Sequence, residues 1–389
     1  MRVLLFHTHY QQPGGEDSVF AAETSLLQEM GHEVLVYTLH NRALEGMPKA
    51  RAVLYTTWNP AVYRELRQKI KAFRPQVVHI HNTFPLASPS VIHAAKAEKT
   101  PVVMTLHNYR LLCVNALLFR EGQICEECLG RLPWPGVLHG CYRDSHAASG
   151  AVALMLTAHR ALGTWTRTVD VYIALTEFAR SKFIEGGLPA NKIAVKPNFI
   201  YPDPGAGKDQ GGYALFVGRL SQEKGLDTLI AAWKHVGKQI PLKIVGDGPL
   251  ASKVAMAAEQ GQGVEWLGWR QREEIIRLMK RANFLVFPSE WYEGFPMTIA
   301  EAYATGLPVV ASNLGAMASL VDHGRTGLHF RPGDPNDLAA KVEWLLSNPV
   351  ELSRMRKEAR AEYEAKYTAE RNHKMLMEIY QRAIENAKR

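Results

Sequence analysis

The sequence lacks the long apolar segments that cross membranes. Within its 389 residues, the apolar run before His7 is too short for a secretory signal peptide, and the small-apolar stretch 147–158 falls short of the roughly 18 residues of a membrane span. Cysteine is scarce, with four residues, and 30 Gly and 21 Pro are too few for collagen-like or low-complexity chains. We therefore expect a cytoplasmic globular protein whose thiols stay reduced.

Length and charge set two further bounds. A chain of 389 residues, 47% hydrophobic and 22% charged, is longer than one hydrophobic core usually supports, so two domains are expected. The formal net charge of +8 suits anionic membranes, phosphorylated ligands or nucleic acid equally well. Charge alone therefore names no partner.

Short β-branched runs alternate with helix-length segments, which indicates βαβ units and parallel sheets. The predicted strands are 2–6, 33–37, 77–80 and 102–106 in the first half, and 213–217, 242–245, 264–267, 284–287 and 308–311 in the second. Residues 196–212, rich in Pro and Gly, indicate a linker between two doubly wound α/β domains. Residues 350–389 look helical throughout, with an apolar stripe formed by Met375, Leu376, Ile379, Tyr380 and Ile384.

Two pairs of glycines follow predicted strands. Gly14 and Gly15 precede a helix, where backbone N–H groups can approach a phosphate because no Cβ blocks the way, although an ordinary tight turn explains them equally well. Gly246 and Gly248 fit GxGxxA, with Glu265 placed where a ribose-binding acid would lie. A dinucleotide fingerprint opens its Rossmann half, whereas a strand and a helix precede this one, so a turn is the better explanation than a nicotinamide site.

Charged groups follow two strands of the second half. Arg219 and Lys224, in VGRLSQEKG, lie where α/β proteins bind ligands and would neutralise a diphosphate, although a solvated loop is the ordinary alternative. In the segment 288–302, Glu301 could accept hydrogen bonds from ribose hydroxyls. The start of the same helix would offer N–H groups and a positive dipole to sugar or phosphate oxygens, from Gly294, Phe295, Pro296, Met297 and Thr298.

These motifs occur in an order that resembles the retaining glycosyltransferases of family 4. They are GGE at 14–16, VGRL and EKG at 217–225, GDGP at 246–249, and EGFPMTIAEA at 293–302 followed by GLPVVAS. The resemblance spans essentially the whole chain and implies a GT-B enzyme, with two Rossmann-like doubly wound parallel-sheet domains facing a central cleft. It implies an acceptor-binding domain at 1–198, a nucleotide-sugar domain at 199–369, and a last helix, about 370–389, that crosses back to the first domain.

The same resemblance assigns roles to individual residues. Arg219 and Lys224 resemble the pair that holds the donor diphosphate, and Glu301 resembles the ribose ligand. Glu293 and the N–H groups after it resemble the contacts to the transferred sugar, while Gly14 and Gly15 match a phosphate-facing turn. His107, in TLHN, lines up with the active-site histidine near the reacting sugar; without that context a hydrogen-bonded histidine at a strand end would be the preferred interpretation.

The implied reaction is transfer of a hexose from a UDP- or GDP-sugar to a hydroxyl of a glycan or lipid-linked acceptor, with no nucleic-acid partner. Fixed cations and helix dipoles can stabilise the charge that develops on the leaving diphosphate. No DxD metal-binding pair occurs in the sequence, so no catalytic metal is expected. The family suggests front-face attack by the acceptor, with Glu293 as nucleophile the less favoured alternative. A GT-B-like sugar-nucleotide epimerase and a non-catalytic nucleotide-sugar-binding protein stay open as alternatives.

Two features lie outside the family pattern. The four cysteines are Cys113, Cys125, Cys128 and Cys141, inside an insertion at about 110–149, and their spacing favours a structural Zn²⁺ site over unligated thiols, a disulfide or an iron–sulfur cluster, with His139 or His146 as substitute ligands. Residues 1–198 contain 21 Lys and Arg against 15 Asp and Glu. With the apolar stretch 151–162, this excess suggests peripheral contact with an anionic cytoplasmic membrane face, and an ordinary basic surface is the alternative.

Overall fold

The computed structural model describes residues 1–11, 14–208 and 211–388. The centre of the predicted Gly-rich turn (12–13) and two positions of the predicted linker (209–210) therefore lie outside the described residues. The chain divides into two compact units. The first contains 1–118, 125–198 and 372–389, and the second contains 119–124 and 199–371.

The secondary structure alternates between strands and helices along both units. The strands are β1 (Arg2–His9), β2 (Glu33–His40), β3 (Val77–Asn82), β4 (Val102–Leu106), β5 (Phe119–Arg120), β6 (Gln123–Ile124), β7 (Val171–Ala174), β8 (Ile193–Val195), β9 (Ala214–Val217), β10 (Leu242–Val245), β11 (Val264–Gly268), β12 (Phe284–Phe287), β13 (Val309–Ser312) and β14 (Gly327–Phe330). The α-helices are α1 (Gly15–Glu29), α2 (Lys49–Thr57), α3 (Pro60–Phe73), α4 (Ser90–Ala97), α5 (Trp134–Leu138), α6 (His146–Ala161), α7 (Glu177–Glu185), α8 (Leu226–Val236), α9 (Ala251–Glu259), α10 (Arg272–Arg281), α11 (Met297–Ala304), α12 (Gly315–Leu320), α13 (Pro335–Ser347), α14 (Pro349–Lys366) and α15 (Ala369–Ala387). Among the described residues, no helix combines the length and apolarity needed to cross a bilayer.

The first unit is built on a parallel sheet with the strand order β2-β1-β3-β4-β7-β8. Its central strands β3 and β4 are buried at every position, because helices cover both faces of a parallel sheet. This burial includes polar side chains of β3, His79 and His81, which therefore need partners inside the protein.

The C-terminal helix belongs to the first unit, as predicted. Leu376, Ile379, Tyr380 and Ala383 join an apolar core with residues of β1, β3, β4 and β7. Burying each large side chain of this kind is worth roughly 1.5–3 kcal/mol, which anchors α15. The predicted uninterrupted helix over 350–389 is wrong, since α14 ends at Lys366 and α15 begins at Ala369. The break lies at Tyr367, the C-cap of α14 with φ −119° and ψ 16°, and at Thr368, whose hydroxyl accepts the N–H of Arg371 at 3.3 Å and so caps the start of α15.

The second unit is built on a parallel sheet with the strand order β11-β10-β9-β12-β13-β14. This is the Rossmann order, in which the chain reverses direction across the sheet between β9 and β12. The predicted class, two Rossmann-like parallel-sheet domains, is confirmed. The carboxyl ends of β9 and β12 form the switch point where ligands bind in such sheets.

Candidate active site

The loops that follow β9 and β12 lie against each other. Leu285 of β12 pairs with Leu215 of β9, so both loops leave the same edge of the sheet. Gly225 has φ +68°, and a Cβ on it would collide with the carbonyl oxygen of Pro288. Only glycine therefore permits this close approach. A backbone hydrogen bond from Glu290 N–H to the carbonyl of Glu223, at 2.9 Å, holds the loops together.

This packing brings Lys224 and Glu293 together. Lys224 Nζ lies 2.6 Å from Oε1 of Glu293, which is 6% exposed. The same oxygen accepts hydrogen bonds from Ser289 Oγ at 2.8 Å and Trp291 Nε1 at 2.9 Å. Three donors on one oxygen fix the carboxylate, and the carboxylate in turn fixes the ammonium group of Lys224. Ser289 and Trp291 were not singled out from the sequence, although they lie within four residues of Glu293.

The remaining predicted residues of the second unit surround the start of α11. The N-cap is Pro296, whose side chain accepts no hydrogen bond, so it does not cap the first N–H groups of the helix. Gly294, Met297 and Thr298 are half-buried, whereas Phe295 is buried with its ring edge-on to Tyr367. Phe295 can therefore contribute backbone groups but not its side chain.

Glu301 has a partner that the sequence did not reveal. Arg272 Nε, at the start of α10, lies 3.2 Å from Glu301 Oε1. Burial raises the pKa of Glu301, and the guanidinium of Arg272 opposes that rise. Arg219, two residues beyond the end of β9, has an exposed side chain. The second unit thus places the predicted cations and carboxylates on loops and helix starts at one edge of its sheet.

In the first unit, His107 directly follows β4 and is half-buried. Its Nε2 lies 3.0 Å from Nδ1 of His81 on the neighbouring strand β3, and the two rings are stacked. Burial, followed by the nearby imidazole of His81, holds the pKa of His107 well below its ordinary value. His107 is therefore neutral near pH 7. His81 was missed from the sequence, although two histidines two residues apart on one strand must point to the same face.

The predicted phosphate-facing turn already has an acceptor. Gly14 is the N-cap of α1, and its N–H donates to Asp17 Oδ2 at 2.7 Å. Asp17 Oδ1 lies 2.8 Å from both His7 Nε2 and His9 Nδ1. Burial would raise the pKa of Asp17, but the hydrogen bonds with His7 and Gly14 lower it to about 2. Any phosphate at Gly14 would therefore have to compete with a charged carboxylate.

Glu16, in the same turn, was not predicted as a functional residue. It accepts hydrogen bonds from Asn82 Nδ2 at 3.0 Å and Asn108 Nδ2 at 3.3 Å. Burial and then the charge of Asp17 raise the pKa of Glu16 to about 8, against the opposing effect of Asn108 and Arg110. At neutral pH the folded chain therefore keeps Glu16 largely protonated. Glu16 is the last residue of the GGE motif, so the sequence could have drawn attention to it, but the burial of its carboxyl depends on tertiary packing.

In the described part of the chain the four cysteines form no disulfide, and two of them, Cys113 and Cys128, are buried. Burial raises the pKa of the Cys128 thiol to about 11, with smaller contributions from the three other cysteines. Among the described residues, the groups of three or more ligand atoms that converge within 4.8 Å are His7, His9, Asp17 and Glu23, His79, His81; the cysteines are not among them. The zinc site stays a prediction from sequence spacing.

The raised pKa of Glu16 predicts a pH dependence of stability. The pKa of Glu16 is higher in the folded than in the unfolded chain. The stability that the protonated carboxyl contributes is therefore fully present below about pH 4.5 and is lost as pH rises towards about 8. We expect the Tm of Glu16→Gln to match wild type near pH 5 and to exceed it by several degrees at pH 8, since each kcal/mol shifts Tm by about 2–4 °C at this domain size. Thermal unfolding across this range measures the difference, with exposed Glu33→Gln as control. A Tm difference that does not change with pH would contradict the assignment.

Two family models match successive parts of this chain. The family model described as Glycosyltransferase Family 4 matches residues 13–203, and the model described as Glycosyl transferases group 1 matches residues 203–362. An uncharacterized glycosyltransferase of Methanocaldococcus jannaschii is 32% identical over 209 residues, which are 52% of this chain and 58% of that protein. The D-rhamnosyltransferase WbpZ of Pseudomonas aeruginosa is 34% identical over 161 residues, 40% of this chain and 42% of that protein. The matched segments thus span about half the length of these curated relatives.

A solved structure is similar over the whole chain. The crystal structure of HepE from Anabaena in complex with UDP superposes with a TM-score of 0.69 and 18% identity, covering 98% of this chain and 100% of that one. This likeness supports the fold alone. The two family models follow each other along the chain from residue 13 to residue 362, and the protein belongs to the family 4, group 1 glycosyltransferases with the GT-B fold.

Proposed function

We propose that the protein is a retaining, metal-independent hexosyltransferase that uses a nucleoside-diphosphate sugar and a hydroxyl acceptor on a glycan or lipid-linked saccharide. The observation that carries this proposal is the Lys224–Glu293 pair, with Arg219 and the Arg272–Glu301 pair, at the ligand-binding edge of the second sheet. HepE, which shares the fold, binds UDP and UDP-glucose. Curated relatives are named as glycosyltransferases.

The proposed chemistry follows from charge. Breaking the bond between sugar and diphosphate leaves negative charge on the leaving oxygens and positive charge on the sugar ring. Lys224, held in place by Glu293, would stabilise the leaving group without reorganising. The exposed Arg219 would add a second cation, and the N–H groups at the start of α11 would add a positive dipole. Glu301 would accept hydrogen bonds from the ribose, exchanging its partner Arg272 for the nucleotide.

Glu293 fits a positioning role better than a nucleophilic one. Its Oε1 receives the ammonium group of Lys224 and two further hydrogen bonds. These donors stabilise the carboxylate and reduce its nucleophilicity. We therefore favour front-face attack by the acceptor hydroxyl, with His107 at a hydroxyl of the reacting sugar. The runner-up functions are a sugar-nucleotide epimerase and a binding protein without turnover. Nucleotide release that depends on an acceptor separates the transferase from both.

We also propose that Cys113, Cys125, Cys128 and Cys141 hold a structural Zn²⁺. Four thiols lie in one short insertion, and CxxC is typical of structural zinc sites. In the absence of metal, burial raises the pKa of Cys128 to about 11. A bound zinc ion would instead favour the thiolate, which relieves this burial penalty.

A membrane-docking face on the first unit is the third proposal, and we define it by α2, α5 and α6. In the described chain, seven of the thirteen exposed large hydrophobic side chains lie on or beside these helices: Val53, Leu54, Leu132, Trp134, Leu138, Leu154 and Leu162. The helices pack on one another, α2 and α5 each against α6. Trp134 and Leu138 are 64% and 72% exposed and occupy one face of α5. An exposed apolar face of this kind marks an interaction site.

Charge favours an anionic bilayer as the partner of this face. The helices α2, α5 and α6 contain no Asp or Glu, but they contain Lys49, Arg51 and Arg160. Arg160 donates to the backbone carbonyl of Arg131 at 2.6 Å, so the backbone of a second, exposed arginine lies beside the end of α6. Exposed tryptophan and leucine beside Lys and Arg suit the boundary between headgroups and acyl chains.

Donor binding tests the proposed function. Arg219 is exposed, so Arg219→Ala should leave Tm unchanged while weakening binding of the best nucleotide sugar about tenfold to a hundredfold, the expected loss for a charge-assisted hydrogen bond. Glu301→Ala should weaken it comparably. Calorimetry with UDP-, GDP- and ADP-sugars in the presence of EDTA measures both effects. Lys238→Ala, an exposed lysine beyond α8, is the matched control. Unchanged affinity in both variants, or binding that requires Mg²⁺ or Mn²⁺, would refute the proposal.

Metal analysis tests the cysteine site. We expect about one zinc ion per purified chain, lost in Cys128→Ser together with a clear drop in Tm, because structural zinc contributes directly to folding. His139→Ala and His146→Ala are the controls and should retain the metal. Protein that contains no zinc and takes up none when zinc is added would show the site to be absent. Loss of zinc in a histidine variant would show that this histidine, and not one of the four cysteines, is the fourth ligand.

Flotation with lipid vesicles tests the docking face. Wild type should float with phosphatidylglycerol vesicles at low salt and much less with pure phosphatidylcholine. The double variant Trp134→Ser/Leu138→Ser should lose at least about tenfold in partitioning, since each buried side chain is worth roughly 1.5–3 kcal/mol. Trp269→Ser, a 67% exposed tryptophan of the second unit, is the control. Unaltered flotation of the double variant would overturn the assignment, and a dimer abolished by the same variant would assign the face to self-association.

A further inference from the structure

Glu23 and Lys196 form an ion pair at the centre of the first unit. Glu23 Oε2 lies 3.0 Å from Lys196 Nζ, and both residues are 1% exposed. Removing two charges from water costs several kcal/mol per ion, so a pair of this kind is weak evidence for a purely stabilising role. The surroundings of its other oxygen, Oε1, indicate what else the Glu23 carboxylate does.

Two histidines of β3 face the other oxygen of Glu23. His79 Nδ1 lies 3.1 Å and His81 Nε2 lies 3.4 Å from Oε1. His79 also has other partners for both ring nitrogens, the hydroxyls of Tyr380 and Thr105, each at 2.8 Å. Among the described residues, His81 Nε2 has no well-aligned hydrogen-bond partner, and neither does Glu23 Oε1. The contact between these two buried atoms is thus the interaction available to His81 Nε2.

The other nitrogen of His81 reaches the predicted active-site histidine. His81 Nδ1 lies 3.0 Å from His107 Nε2, and the ring centroids are 5.2 Å apart. A continuous path therefore leads from the Glu23 carboxylate through the imidazole of His81 to the imidazole of His107. Every member of the path belongs to the first unit, on α1, β3 and the residue after β4.

Protonation along this path has one consistent direction. Burial would raise the pKa of Glu23, but Lys196 and the two histidines hold it well below its ordinary value, so Glu23 is an acceptor only. Burial lowers the pKa of His81 to about 3, and His81 is neutral. A neutral His81 that donates from Nε2 to Glu23 has a lone pair on Nδ1. His107 must then donate from Nε2 to that lone pair, which leaves its own Nδ1 as an acceptor.

We propose that Glu23 is a positioning residue which, through His81, keeps the proton of His107 on Nε2 and leaves Nδ1 free to accept a hydrogen bond from a sugar hydroxyl. Lys196 keeps Glu23 ionised and so fixes the direction of the path. The tautomer assignment rests on the first unit alone, whereas its use with a sugar hydroxyl rests on the proposed function.

The tautomer of His107 is measurable without any substrate. Protein labelled with ¹⁵N-histidine gives distinct two-bond correlation patterns for the two neutral tautomers, and His107→Gln identifies the His107 signals by their loss. We expect a protonated Nε2 and an unprotonated Nδ1 in the wild-type protein near pH 7. The opposite pattern, or a charged imidazolium, would overturn the proposal whatever the activity of the chain.

A pair of variants isolates the acceptor oxygen of Glu23. Glu23→Gln/Lys196→Met removes both charges but keeps an oxygen that can accept from His81, so His107 should keep its proton on Nε2. Glu23→Leu/Lys196→Met removes the acceptor as well, and His107 should become a mixture of tautomers. Replacing a buried ion pair by apolar groups is often neutral for stability. Equal His107 spectra in the two variants would refute the role of Glu23. If the leucine variant does not fold, the wild-type spectrum still decides.

Activity separates this inference from the proposed function. With a nucleotide sugar and an acceptor, the leucine variant should lose about tenfold in kcat, the effect of one misplaced hydrogen bond, while its donor affinity stays within about twofold of wild type. The glutamine variant should retain most of its kcat. Correct tautomers in a chain without transferase activity would refute the proposed function and leave the positioning path intact.

Discussion

The close contact between the loops after β9 and β12 is the constraint on which the charged part of the candidate site depends. Parallel pairing sends both loops from one edge of the sheet, and the absence of a side chain at Gly225 lets them meet at the carbonyl of Pro288. The Lys224 ammonium group is then held by a carboxylate that is itself fixed by two further donors. A cation fixed before its ligand arrives loses little freedom on binding, which is what charge stabilisation in a transition state requires.

The first unit contains two groups whose ligand atoms converge as they do around a metal, and hydrogen bonds and an ion pair explain both arrangements. The groups are His7, His9, Asp17 and Glu23, His79, His81. Asp17 Oδ1 already lies at hydrogen-bond distance from both His7 and His9, and it belongs to a helix N-terminus, where the dipole disfavours a cation. In the second group, Lys196 supplies the positive charge beside Glu23. We therefore assign these histidines to hydrogen-bond networks. The insertion with the four cysteines remains the candidate metal site, and it is argued from sequence spacing.

Much of the fold was predictable because it depends on local pattern and order. Most strands of the two large sheets were predicted from their β-branched runs, and so was the packing of the last helix on the first domain. β7, β8 and β14 were missed, although β7 and β14 are as long as the four-residue strands β9, β10, β12 and β13 that were predicted, so strand length alone does not explain the misses. Side-chain partners were the harder part. Arg272 and Glu301 are far apart in sequence, and the Glu23–His81–His107 path joins three separate elements, which only the strand order brings together. The motifs located the site, but pairings of this kind require the topology.

The candidate site residues of the two units differ in charge and in burial. Around His107 in the first unit, burial disfavours charge at three groups: His81 and His107 are neutral, and the pKa of Glu16 rises to about 8, whereas Glu23 stays ionised beside Lys196. In the second unit, Arg219, Lys224 and Arg272 lie at or near the surface, where the proposed function assigns them to a diphosphate. Neutral groups discriminate by direction, since a lone pair accepts and an N–H donates along one preferred axis, whereas cations act over longer distances. Under the proposed function the chain needs both kinds of group, and the proton position on His107 would then depend on the buried Glu23–Lys196 pair.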